Sequence, residues 1–281
     1  MPRTRCWRVL TKQSKQFANN GIHKRGGGSV NTTIEQRVSK VPEITLLFWV
    51  VKIAATTLGE TGGDAVSMSM NLGYLVATAI FAVILVLAVG AQIAAKRFHP
   101  YLYWTTIIAT TTVGTTLADF ADRSLHIGYA GGASLLLALL IASLATWYRT
   151  MGSVSVDNVV SAKAEMFYWV TIMFSQTLGT ALGDWTADTA GLGYRGGALV
   201  FSGLLALVVA AYYWTRISRV KLFWAAFVLT RPLGAVVGDF LDKPVTAGGL
   251  ALSRYSASAA LLIFIVACLV LFRHRAATKI H

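Results

Sequence analysis

Four aspartates, Asp64, Asp119, Asp184 and Asp239, stand at equivalent places in this chain. Carboxylates in such an array bind hard cations or line the mouth of a cation path. Each closes a motif that opens on glycine. The copies are Gly59-Glu-Thr-Gly-Gly63-Asp64, Gly114-Thr-Thr-Leu-Ala118-Asp119, Gly179-Thr-Ala-Leu-Gly183-Asp184 and Gly234-Ala-Val-Val-Gly238-Asp239. Aligned on the leading glycines, the column three residues earlier reads Thr56, Thr111, Gln176 and Arg231, and the column one residue later reads Glu60, Thr115, Thr180 and Ala235. Helix packing does not require so polar a stripe. Glu60, Gln176 and Arg231, with the four aspartates, are therefore the candidate residues for binding or passing a cation; any metal would fall to the aspartates.

The same motif has a packing reading. Gly59/Gly63, Gly114/Ala118, Gly179/Gly183 and Gly234/Gly238 put two small residues four apart on one helix face, where they let helices approach closely. On this reading the small pair packs its own hairpin, and the aspartate caps the next helix or ties down the turn.

Further landmarks recur with the motif. Ten residues before each leading glycine stands Trp49, Trp104, Trp169 or Trp224, and fourteen after it stands Gly73, Gly128, Gly193 or Gly248. One supersecondary unit has been quadrupled. The leading glycines are 55, 65 and 55 residues apart, so the longer middle gap divides the copies two and two.

Composition says what these units sit in. The 281 residues are 55% hydrophobic and only 13% charged, about half the charge of an ordinary soluble domain. Long apolar runs without barrel alternation predict membrane helices. The expected spans are 43–62, 73–95, 101–119, 127–148, 164–183, 193–214, 221–239 and 252–272, the first opening at Pro42-Glu43. The predicted fold is all-α and integral to the membrane, with eight transmembrane helices as four like-oriented two-helix repeats. The membrane domain runs over 42–275, with repeats near 42–97, 98–150, 162–216 and 217–275. An even number of spans per repeat gives every copy the same orientation.

The net charge of +13 is not a nucleic-acid signature, because it is sided. Lys96, Arg97, Arg149, Lys163, Arg216, Arg219, Lys221, Arg273 and Arg275 flank one side of the spans, and the motif aspartates lie on the other. The positive-inside rule then places both termini in the cytoplasm and the motif ends outside. Residues 1–41 are basic, lack an apolar stripe and read as a disordered tail. The tail is suited to anionic headgroups, or its first ~29 residues are an extension upstream of an ordinary start at Val30. Cys6 and Cys268 form no disulfide or metal pattern. No P-loop, GxSxG, HExxH or dinucleotide fingerprint occurs, and nothing points to a cofactor or to an enzyme.

The four tryptophans and four GxxxxD motifs resemble the bacterial family of uncharacterised membrane-anchored proteins built from four tandem two-helix repeats of unknown function. The resemblance covers residues 42 to about 273. It implies an architecture in the bacterial inner membrane and no established activity. The fourth copy departs most, with Arg231-Pro232 before its glycine and Gly249 where Tyr74, Tyr129 and Tyr194 stand in the others.

A charge inside a membrane bundle persists when paired. In a closed ring, repeat four neighbours repeat one, so Arg231 is expected to pair with Glu60 across that seam. The functional expectation is transport of a small solute, a cation, with the lipid bilayer as the other partner. The alternative is a non-catalytic membrane scaffold that uses the small-residue faces for assembly.

Overall fold

A computed structural model describes residues 39–272 and 274–277. Within them eight long helices follow one another: α1 Leu46–Asp64, α2 Gly73–Ala94, α3 Pro100–Asp119, α4 Tyr129–Met151, α5 Ala162–Asp184, α6 Gly193–Trp214, α7 Arg219–Asp242 and α8 Arg254–Leu271. Local chemistry sets several starts. The Thr45 hydroxyl accepts from the Phe48 amide at the head of α1, Ser161 does the same for α5, and Pro100 opens α3. The α1 start therefore lies beyond Pro42-Glu43. Pro42 instead makes an extended bridge with Ala276.

The motif aspartate is the last α-helical residue of α1, α3 and α5. A π-helical turn follows each time, at Ala65–Ser69, Phe120–Ser124 and Trp185–Thr189, closed by Met70, Leu125 and Ala190 amides on Ala65, Phe120 and Trp185 carbonyls. The fourth copy has no such turn. Pro244 lacks the amide and disfavours helix at the residue before it, so α7 stops and a short 3₁₀ turn follows at Val245–Ala247.

The repeated glycine after the turn has a backbone cause. Gly73, Gly128, Gly193 and Gly248 all have positive φ, between 62° and 85°. A Cβ at any of them would meet no atom within 4 Å. The requirement is conformational, not steric packing. Gly128, at φ 82° and ψ 142°, sits in an extended positive-φ region essentially reserved for glycine, so Gly128→Ala is expected to cost about 1–3 kcal/mol, measurable as a lower melting temperature in detergent.

The first helices of the repeats, α1, α3, α5 and α7, pack in a closed ring, each against the next and α7 back onto α1. The second helices stand outside. Each leans on the first helix of the following repeat: α2 on α3, α4 on α5, α6 on α7 and α8 on α1. The two helices of one hairpin do not pack along their length, so the small pairs do not serve the hairpin as expected.

Five helices, α2, α4, α6, α7 and α8, are long and apolar enough to cross a membrane. The expectation of eight such spans fails for α1, α3 and α5 by composition. Those three are surrounded by other helices, so their faces carry threonine and carboxylate where the outer ones carry leucine and valine. Outward faces such as Leu75, Val83, Leu199, Leu207 and Ile263 leave a broad apolar surface, of the kind that meets lipid.

The end opposite the aspartates is closed by packing. Most of the predicted tail lies outside the described residues, but its last residues, Ser39 to Val41, are seated. The Ser39 hydroxyl donates to the Val156 carbonyl at 2.6 Å, Lys40 pairs with buried Glu165 at 2.7 Å, and Ala277 donates to the Val41 carbonyl at 2.8 Å. The folded body thus begins earlier than residue 42 and extends past 275.

Candidate functional site

The ring interior is built in levels that follow the repeat columns. At the level of the tryptophans, Trp104, Trp169 and Trp224 are buried and Trp49 half-buried. They mesh with the residues just before them, Phe48, Tyr103, Tyr168 and Phe223. The Tyr103 and Tyr168 hydroxyls meet at 2.6 Å. Aromatic pairs at such offset and edge-on angles add to area burial, so this level is a packed plug. Trp104, Trp169 and Trp224 are core residues, and all four repeated tryptophans stand within the first eight residues of their helices, toward the end opposite the aspartates.

One level further on lies Lys52, fully buried. Its ammonium sits 4.2 Å from the Phe227 ring centre and 3.5 Å from the Thr230 hydroxyl, with no carboxylate partner among the described residues.

The polar columns and the glycines interlock. The leading glycine of each repeat faces the residue three before the glycine of the next: Gly59 faces Thr111, Gly114 faces Gln176, Gly179 faces Arg231 and Gly234 faces Thr56. The second small residue faces the following column. A Cβ on Gly63 would lie 3.1 Å from Thr115, on Gly183 3.0 Å from Ala235, and on Gly238 2.7 Å from the Glu60 Cβ. The small-residue motif is therefore the groove that admits the polar stripe of the neighbouring inner helix.

Arg231 ends up spanning the ring. Both of its terminal nitrogens donate to the same Glu60 oxygen at 3.0 Å, and one also donates to the hydroxyls of Thr115 and Thr180. One guanidinium from α7 thus reaches α1, α3 and α5. The pair expected across the seam of repeats four and one is present, and both members are buried.

The four motif aspartates are buried too, at the far end. They do not cap the turns that follow them; Asp64, Asp119 and Asp184 make no side-chain bond to the turn amides. They are held by two cations instead. Lys243 bonds Asp64 and Asp239 and lies 3.9 Å from Asp242. Arg123 bonds Asp119 at 2.8 Å and lies 3.9 Å from Asp184. Arg254 adds to Asp242 at 3.0 Å. Burial works against the charge on Lys243, but Asp239, Asp64 and Asp242 outweigh it and hold the ammonium well above the ordinary lysine range.

Arg123 and Lys243 occupy the same column, nine residues after the leading glycines of repeats two and four; Met68 and Asp188 stand there in the others. Each cation bonds its own repeat's aspartate and reaches toward the next one's: Lys243 bonds Asp64, and Arg123 lies 3.9 Å from Asp184. Sequence reasoning missed this, although the shared column was readable. It also missed the Lys40–Glu165 contact, which joins segments far apart in the chain.

Of the candidates, Glu60, Asp64 and Asp119 each place a carboxylate oxygen within 4.8 Å of one another, and Asp64, Asp239 and Asp242 do the same. Asp64 links the two groups. Asp184 joins only through Arg123. Gln176 lies beside Arg231 in its column, yet neither of its amide atoms has a hydrogen-bond partner among the described residues. A continuous set of buried polar groups thus runs from Lys52 to the aspartates.

Neither a curated protein nor a solved structure matches the chain. The family described as Repeat of Unknown Function (DUF347) matches it four times in tandem, over residues 47–98, 102–153, 167–218 and 222–278. Each match holds one of the four repeated tryptophans, one GxxxxD motif and one helix pair, and with all eight helices so accounted for, the chain belongs to this repeat family.

Proposed function

We propose that the protein is an eight-span carrier of a small cation in the bacterial inner membrane, with both termini cytoplasmic and no enzymatic activity. The observation that carries this reading is the ring of buried acids bridged by lysine. Ionisable groups inside a membrane bundle are costly and mark ion pathways. Lys243 stands where a substrate cation would stand, its ammonium among the oxygens of Asp64, Asp239 and Asp242. It lies just beyond the end of α7, so it can leave without unwinding the helix. A cation entering from outside would replace it. Arg231 lies across the ring deeper in, and a fixed guanidinium opposes free cation flow. That arrangement suits a carrier with two closed ends better than an open channel. Sided basic residues support the orientation. The three less apolar helices fit as spans because they share the inner ring with α7 and the outer helices α2, α4, α6 and α8 stand around that ring.

The test is uptake into proteoliposomes across a panel of sodium, potassium, magnesium, calcium and manganese, with melting temperature recorded in parallel. Saturable, ion-selective flux is expected, with stabilisation of about 2.7 kcal/mol at a hundred times Kd. Both are expected to vanish in Asp64→Asn/Asp239→Asn. The close packing of the ring interior favours one other reading, a membrane scaffold. Absence of both flux and ion-selective stabilisation in the wild-type protein would transfer the assignment to it.

A further inference from the structure

One level of the ring is not accounted for by the acids or by the Arg231–Glu60 pair. Thr111, Ser175, Gln176, Thr230 and Arg231 occupy the third and fourth positions before their leading glycines, and Lys52 extends up to Thr230. Lys52, Thr111, Ser175, Gln176 and Arg231 are all fully buried. Among the described residues, the Thr111 and Ser175 hydroxyls, both Gln176 amide atoms and the Arg231 Nε have no hydrogen-bond partner. Buried polar atoms are nearly always partnered, and each orphan costs about 1–3 kcal/mol. The orphans come from three inner helices, α3, α5 and α7, so they are not a single misfit side chain.

Most of these groups can donate. The Lys52 ammonium, the Arg231 Nε–H, the Gln176 amide nitrogen and the two hydroxyls all have hydrogens to give, and the Gln176 carbonyl oxygen is the one orphan that only accepts. The only carboxylate paired at this depth is Glu60, and Arg231 already neutralises it. A protonated Lys52 would have no carboxylate partner among the described residues, and a bound anion would supply the counter-charge that its burial requires. We propose that this level is a binding site for a small monoanion, of the size of chloride, nitrate or formate. Lys52 supplies the charge, and Thr111, Ser175 and Gln176 supply the donors. Binding there would require Gln176 and Lys52 to turn from the packed positions they hold. The site is separate from the aspartate ring and does not depend on the cation reading.

The experiment is thermal unfolding of the purified full chain in sodium gluconate, with gluconate replaced stepwise by chloride, nitrate or formate at constant sodium and ionic strength. A saturable rise in melting temperature is expected for at least one of the three. In Lys52→Met the apparent affinity is expected to fall about tenfold or more, as loss of a bond to a charged group requires. That variant is also expected to melt no lower than wild type in gluconate, because a buried unpaired charge has been removed. Gln176→Leu carries the same test should Lys52→Met fail to fold. Asp64→Asn/Asp239→Asn is expected to keep the anion response, which separates this site from the cation site. Equal melting of the wild-type protein in all four anions overturns the proposal, as does an undiminished response in the Lys52 or Gln176 variant.

Discussion

Arg231→Met is expected to destabilise the protein by about 3–5 kcal/mol, the cost of stranding one member of a buried ion pair. Methionine preserves the stem that fills the groove at Gly179, so the loss isolates the charge. The stranded group is Glu60, which would retain only the Thr115 hydroxyl at 3.2 Å. It would also face Asp64 and Asp119, whose oxygens come within 4.8 Å of its own. Like charges at that range repel strongly where water is scarce. Glu60→Gln in the Arg231→Met background removes the stranded charge and is expected to restore most of the loss, since a neutral replacement of a buried pair is often tolerated. Titration with a denaturing detergent, read by helicity, gives the three midpoints. A double variant as unstable as the sum of the singles would show that the two residues are not coupled, and the seam would need another explanation.

The level above has a two-fold character that the four-fold sequence repeat conceals. Lys243 ties repeat four to repeat one, and Arg123 ties repeat two to repeat three. The seams between repeats one and two and between three and four have no such cation in that column. The longer linker between the second and third glycines falls inside one of the tied halves, so linker length does not mark the boundary between them.

What the sequence discloses here is what repeats at fixed spacing. Four helix pairs, the tryptophan core and the polar columns follow from periodicity, because a helix turns spacing directly into a shared face. The Arg231–Glu60 pair was legible for the same reason: two unique opposite charges, one turn apart in repeat coordinates, in a ring that must close. Choice of partner in space was not legible. The short turn after Asp64 suggests that α1 and α2 pack together, yet α2 rests on α3 and α8 returns to α1. Each inner helix buries two polar columns against its ring neighbours, and that interlock occupies the face a hairpin partner would need. The aspartates show a related limit. A carboxylate just before a turn looks like a cap, but with Lys243 and Arg123 four residues further along the chain, in two copies, the stronger charge-assisted bond wins. Hydropathy fails for α1, α3 and α5 on similar grounds, since it measures what a helix would show to lipid and these are turned inward.

The interlock itself gives the sharpest steric prediction. A Cβ on Gly114 would lie 2.9 Å from the backbone carbon of Gln176 and 2.9 Å from the backbone nitrogen of Thr177. Backbone inside a helix cannot step aside as a side chain can, so Gly114→Ala must push α3 away from α5. Overpacking of this kind costs about 1–3 kcal/mol, and the upper end is expected because two helices must separate. A Cβ on Gly59 would lie 2.9 Å from the Thr111 Cβ, which the α3 backbone fixes, so Gly59→Ala is expected to push α1 from α3 at a similar cost. Gly90 and Gly203, within the outer helices α2 and α6, have open space around them. Alanine there should stabilise by about 0.5–1 kcal/mol through lower backbone entropy in the unfolded chain. The order expected in a single melting series is therefore Gly114→Ala and Gly59→Ala lowest, then wild type, then Gly90→Ala and Gly203→Ala. If Gly114→Ala melted with the outer-helix variants, α3 and α5 could not approach as closely as described, and the closed ring that brings Arg231 to Glu60 would fail with it.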